Sequence, residues 1–362
     1  MATQVLPFED VKRFAARLGA DLNLVQGRSG TISVKHSGLM WVRAELASLA
    51  IAEQSEIFIP LRIDKVLSGI AAGLDDPNER ATLEAELNQQ PDKIVRPLPF
   101  AALDALIEHP LVSHVTPPDL LAITSEANAQ EILSERLEGL RWAFASMAAP
   151  GASLNRSVAT ALGQKSGPID ILVISHWGAV VSGTDPTNVS AHLSELTQRL
   201  VRPSRPIPEP ALYDLKALTA NDQSWRLPEY KEIHALGCDS LSLEACMTGL
   251  LTLGQAMTLG LGLPVAKPRE PLWQTALRHE KEFHERPGYI IIPNVGVVVA
   301  SELTPQTEAL LNGFARMTLR LQTTTDLLTF TVDDIKQYLE WQKNRWLEES
   351  NSSEFSGVST KV

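Results

Sequence analysis

Apolar residues at Phe8, Val11, Phe14, Ala15, Leu18 and Leu22 recur at helical spacing, with Asp10, Lys12 and Arg13 on the opposite face. A stripe three and four residues apart buries one side of a helix and leaves the other in water, so the pattern predicts an amphipathic opening helix. A glycine turn follows at 26–30. The alternation over 31–35, the Ser37-Gly38 turn and the run 39–42 then read as a β-hairpin. Helical patterning dominates 62–88, a helix is expected over 98–108 after Pro97 and Pro99, and 111–115 reads as a short strand. Two further strands, 169–174 and 176–183, are joined by a tight turn, and a helix is expected over 187–200.

Prolines at 203, 206, 208 and 210 make this stretch the most linker-like of the chain. It divides a domain over 1–202 from an extension over 211–349, with 203–210 as linker and a Ser-rich, disordered tail over 350–362. In the extension the pattern predicts helices over 241–250, 304–321 and 332–349. Strands are expected near 256–259, at 289–292 and at 295–300. The last helix carries Tyr338, Trp341 and Trp346, which suit either a core or a neighbouring subunit. Strands and helices intermixed with short turns argue for an α/β fold of the α+β kind. Its sheet is mixed or antiparallel and covered by helices, not a repeating parallel array.

The uncharged stretch 245–266 has the length of a membrane span, about 20 residues. Its glycines at 249, 254, 260 and 262 and its closing Pro264 favour a buried helix, a turn and a strand instead. A membrane partner is not expected, and neither is export, because the first residues hold no apolar signal core.

Composition narrows the reading further. The 362 residues are 44% hydrophobic and 21% charged, enough for a sizeable core. A net charge of −11 with no basic run argues against nucleic acid. Two cysteines, Cys238 and Cys246, fit no metal knuckle and suit a reducing, cytoplasmic location. No phosphate-loop or GxGxxG signature occurs.

Specific strings carry more than composition does. LNLVQGRSGTISVK followed by LMWVRA, RPLPFAALDALIEHPLVSHVT and IDILVISHWGAVVSGTD resemble successive segments of the class II aldolase/adducin family. HALGCDSLSLEA, PGYIIIPNVGVVVA and YLEWQKNRW resemble later parts of its long form, the aldolase portion of rhamnulose-phosphate aldolase/alcohol dehydrogenase fusion proteins. The resemblance spans most of 10–348 and implies a class II aldolase-like fold with a central, mainly antiparallel sheet. It also implies a homo-oligomer and a sugar or sugar-phosphate ligand. In active members, three histidines hold zinc, two from HxH and one from an NHG turn. A glutamate shuttles the proton. Three imidazoles leave coordination positions open for a substrate carbonyl and hydroxyl, which suits enediolate chemistry.

Carried over residue by residue, the motif is altered nearly everywhere. The glutamate falls on Phe100 and the histidine after it on Asp104. The first histidine of HxH is His114, but the second is Thr116. In the ungapped alignment the NHG histidine falls on Trp177 and the asparagine on His176, whereas a one-residue shift makes His176 the ligand. On the phosphate side, the family's Gly-Asn and Ser-Gly positions read Gly30-Thr31 and Glu45-Leu46, and Glu45 brings negative charge toward an anion. Candidate substrate contacts are Gln26, Arg28, Gly30 and Thr31, and candidate catalytic groups are Asp104 and His114, which could pair as a general base. His114 and His176 are the candidate metal ligands if zinc is retained. His279 and His284, five apart, lie roughly 140° apart around a helix and fail as a metal pair.

The primary expectation is therefore a degenerate zinc and phosphate site, non-catalytic or repurposed for binding or assembly, with no cofactor. The alternative is a metal-dependent aldolase acting on a sugar phosphate through a rearranged ligand set. A third expectation is metal-free binding of a neutral, sugar-like ligand in the same cleft.

Overall fold

The computed structural model describes residues 6–78, 81–82, 96–252, 254, 258–333, 335–337, 339–340 and 343. A seven-stranded sheet has the order β3-β2-β1-β4-β7-β6-β5, formed by β1 (Thr31–His36), β2 (Leu39–Arg43), β3 (Phe58–Arg62), β4 (Leu111–Val115), β5 (Trp142–Ala145), β6 (Ile171–Ile174) and β7 (Gly178–Gly183). Every pairing is antiparallel except β5 with β6. The fold is thus a mixed α/β arrangement covered by helices, as the pattern predicts, with the central, mainly antiparallel sheet that the resemblance implies.

Side-chain alternation divides the sheet into two faces. Ile32, Val34, Leu111, Val115, Ile171 and Val173 pack with Val11, Phe14, Leu193 and Leu196 from the helices Phe8–Ala20 and Pro186–Leu200. The opposite face carries Val112, Leu172, Ile174 and Val180, covered by Leu103, Val158, Ala161 and Leu250 and, from near the end of the chain, by Phe330 and Ile335. Residues 98–108 form only the short helix Ala101–Asp104, because Pro99 and Pro110 confine it. The helical pattern over 62–88 yields the helix Ile63–Ala71 alone before Gly73 at φ +73°, and 79–80 and 83–88 lie outside the described residues. Strand β3 was not legible because Pro60 interrupts its run. On the sheet edge, the missing N–H of proline costs no ladder bond.

A second, three-stranded sheet follows, in the order β8-β10-β9, from β8 (Trp225–Arg226), β9 (Tyr289–Ile292) and β10 (Gly296–Ala300). One of its faces shares a core with Leu121 and Ala122 of the first half and with Leu311, Phe314 and Met317 of the helix Pro305–Thr318. The uncharged stretch breaks at Gly249 after the helix Ser240–Thr248, and Val265 bridges to Ile291. No described helix is long and apolar enough to cross a membrane. Thr258 and Leu259 are helical, which corrects the strand expected there. Ala256 lies outside the described residues, as do Tyr338, Trp341, Trp346 and the tail 350–362.

The proline-rich stretch is tied down at its start. Arg202 donates to both oxygens of Glu126 at 2.6 and 2.9 Å, and both side chains are buried. Its backbone N–H donates to Asp119, and Arg205 reaches Asp239 and the Thr318 carbonyl. Removing one member of a buried ion pair strands the other, so Glu126→Ala is expected to lower unfolding stability by about 3–5 kcal/mol, measured by urea denaturation.

Candidate functional site

Strand register builds the site. β1 and β4 set Thr31 opposite His114, and β7 sets Val180 opposite His114 on its other side. Thr31 and His114 therefore project from the face away from the opening helix. Between β6 and β7 the chain turns tightly, with His176 at φ +68° and Gly178 at φ +106°. A Cβ on Gly178 would lie 2.1 Å from the Val115 carbonyl oxygen, so only glycine fits here. The turn delivers the Trp177 carbonyl to His114, whose Nε2–H donates to it at 2.7 Å. Phe100 stacks on the His114 ring, centroids 5.8 Å apart, and meets Trp177 edge to face at 3.9 Å.

These groups line a cavity of about 690 Å³, within the range of small-molecule sites. Gln26, Ser29 and Thr116 lie along the same wall and are joined by hydrogen bonds: Thr116 donates to Gln26 Oε1 at 2.8 Å, and Ser29 Oγ lies 2.8 Å from Thr116 Oγ1. The wall next to it is Leu310, Gly313, Phe314 and Met317 of the helix Pro305–Thr318. Gly313 allows that helix to close, since a Cβ there would lie 2.4 Å from Gln26 Cγ. Arg316 fastens it by donating to the Leu22 carbonyl at 3.1 Å.

Burial governs the electrostatics. It drives the His114 imidazole down to about 4, against the pull of the Trp177 and Ser29 carbonyls that face it, and the ring is neutral at pH 7. His176 is lowered by burial as well. Its Nε2–H donates to the Leu328 carbonyl at 2.8 Å, and Nδ1 accepts from Ser175 Oγ at 2.8 Å. Arg43, fully buried, is lowered to about 10 by desolvation. Its guanidinium donates to the carbonyls of Arg28, Ala44, Glu45 and Ala47, fixing the loops that bring Arg28 and Glu45 to the cavity.

The candidate residues separate into two groups. Gln26, Arg28, Thr31, His114 and His176 line the cavity together with Glu45, Phe100, Thr116 and Trp177. Gly30 does not line it; a Cβ there would lie 2.5 Å from Val25 Cγ2, so it serves close packing. Asp104 also lies off the cavity. It is buried beside Ser33 and Lys35 of β1, and desolvation raises it to about 7 while Ser33 and Lys35 pull it down. Lys35 in turn is lowered to about 8 by burial and donates to the Ile107 carbonyl. Asp104 and His114 are thus directed to different partners. The cavity wall from Leu310, Phe314 and Met317 was missed at the sequence level, although these residues share one helical stripe three to four positions apart.

The residues present do not fit a three-imidazole zinc site. Metal-binding histidine directs one nitrogen to the ion and the other to a supporting acceptor. The Nε2–H of His114 is given to the Trp177 carbonyl, and both nitrogens of His176 have partners. Phe100, Thr116 and Trp177 supply no metal donor of the required kind. Among the described residues no three His, Cys, Asp or Glu side chains gather where they could hold a metal ion.

No family model matches the sequence, and no curated protein matches it. Solved structures match part of the chain. The N-terminal class II aldolase domain of a conserved protein from Thermoplasma acidophilum is 18% identical over 55% of this chain and 97% of its own, with a TM-score of 0.44. An aldolase II superfamily protein from Pseudomonas syringae is 14% identical over 61% of this chain and 81% of its own, with a TM-score of 0.37. A sugar-phosphate aldolase from Thermotoga maritima is 13% identical over 53% of this chain and 92% of its own, with a TM-score of 0.34.

Two pH effects follow. The folded pKa of His114 lies below its unfolded value, so its contribution to stability is present above about pH 6.5 and is lost as pH falls toward 4. Its Cε1–H resonance is expected to stay at the neutral-imidazole shift from pH 8 down to 5.5. Asp104 has the opposite sign: its folded pKa is raised, so the folded chain binds the extra proton and loses stability as pH rises from about 4 to about 7. Urea denaturation across that window is expected to show wild type falling relative to Asp104→Asn by more than about 1 kcal/mol.

Proposed function

We propose that this chain is a class II aldolase/adducin-type protein whose metal, proton-shuttle and phosphate positions have been replaced, and that it acts by binding a ligand in its cavity without cleaving a carbon–carbon bond. The observation that carries this reading is the hydrogen bond from His114 Nε2–H to the Trp177 carbonyl, with Phe100 stacked on the imidazole ring. An imidazole held neutral and bonded in this way supports aromatic packing where the family resemblance implies a zinc ligand. The general base is also displaced, since Asp104 faces Lys35 and Ser33 away from the cavity. Leucine and aromatic side chains make up much of the cavity wall, beside Arg28, Glu45, Lys343 and several threonines.

The rival reading, a zinc-dependent lyase acting on a sugar phosphate, requires His114 and His176 to turn from their present partners to a metal. Plasma mass spectrometry on untagged protein after equilibration with zinc separates the two. Well under one zinc per chain and no aldol cleavage of ketose 1-phosphates is the expected result. Near one zinc per chain, lost in His114→Ala, would establish the lyase instead.

A further inference from the structure

The side chain of Trp177 carries a donor that nothing in the chain accepts. Trp177 is 6% exposed, and its Nε1–H is buried without a hydrogen-bond partner. An indole nitrogen has no lone pair to offer, so this group can only donate, and burying it unpaired forfeits the hydration it has in the unfolded chain. Its surroundings explain the lack. Phe100 meets the indole edge to face at 3.9 Å, and Trp177 belongs to an apolar cluster with Leu103, Leu250 and Phe330, whose side chains hold no acceptor.

Position sets this donor apart. Other buried polar atoms lack partners among the described residues, Tyr289 Oη and His279 Nε2 among them, but those residues do not line the cavity, and Trp177 does. The remaining polar lining does not discriminate between ligands. The hydroxyls of Ser29, Thr31 and Thr116 donate and accept alike, and the Gln26 amide has both an oxygen and N–H groups. Charges of both signs are present at Arg28, Lys343 and Glu45, the last in the field of buried Arg43.

We propose that the cavity binds a ligand whose hydrogen-bond-accepting oxygen, such as a carbonyl, takes the Trp177 Nε1–H, with the ligand's apolar body against Phe100, Leu98 and Leu339 of the same lining. This rests on the cavity being a metal-free binding site. A ligand without an acceptor leaves the indole N–H unpaired, whereas one that supplies an oxygen satisfies it in apolar surroundings, where a hydrogen bond is stronger than in water.

Acetophenone and α-methylstyrene test the selection, because they share one shape and differ by a carbonyl oxygen replaced with a methylene group. Titrated separately into the full chain and followed by ligand-observed NMR, both are expected to bind. Trp177→Phe keeps an aromatic ring and removes the N–H, so the affinity of acetophenone relative to α-methylstyrene is expected to fall about threefold to tenfold, the range of a neutral hydrogen bond. On the unsubstituted chain, one of the seven tryptophan indole N–H resonances is expected to move downfield with acetophenone but not with α-methylstyrene, a readout that stands even if Trp177→Phe does not fold. A ratio unchanged by Trp177→Phe, the absence of such a resonance, or no binding of either probe overturns the proposal. The first two, in a zinc-free chain that binds both probes, leave the binding reading in place, while one zinc per chain overturns the proposal together with that reading.

Discussion

The approach of Gly178 to strand β4 is the constraint on which the site depends. With 2.1 Å between a would-be Cβ and the Val115 carbonyl oxygen, the turn at 175–178 has one geometry available. That geometry places the Trp177 carbonyl on His114 and sends the Trp177 ring against Phe100. His176, in the left-handed region one residue before Trp177, is directed to Leu328 and Ser175. One turn therefore decides that both histidines are bonded to the protein's own chain and that Trp177 meets Phe100 beside His114.

The cavity exists because the two halves of the sequence share cores. Leu121 and Ala122 pack among residues of the small sheet, and Leu250, Phe330 and Ile335 pack on the face of the large one. Ion pairs reinforce the junction where proline leaves few backbone donors, a buried one of Arg202 with Glu126 and a half-buried one of Arg205 with Asp239. Gly313 then lets the helix Pro305–Thr318 approach Gln26, so the hydrogen-bonded wall and the apolar wall belong to opposite ends of the chain.

Buried charge is handled in two different ways. Arg43 is wired to four carbonyls and stiffens the loops at the cavity, whereas Lys35 and Asp104 lie together behind it and perturb each other. The first arrangement shapes the site, and the second stays out of it.

The sequence by itself determined the opening helix, the hairpin of β1 and β2, the strands β4, β6, β7, β9 and β10, and the mixed sheet, because these depend on local period and turn residues. It also carried the departures at Phe100, Thr116 and Trp177, which need only identity. It did not reveal β3, whose Pro60 is tolerated only at a sheet edge, or the wall built by Leu310, Phe314 and Met317. Only the tertiary structure decided that Asp104 faces Lys35 instead of His114, that Gly30 serves packing, and that His114 meets a carbonyl. Each of these is a question of direction and long-range contact. Periodicity states which face of an element is apolar, but which partner a buried polar group meets is set by register, by a glycine's clearance and by a helix nearly three hundred residues away.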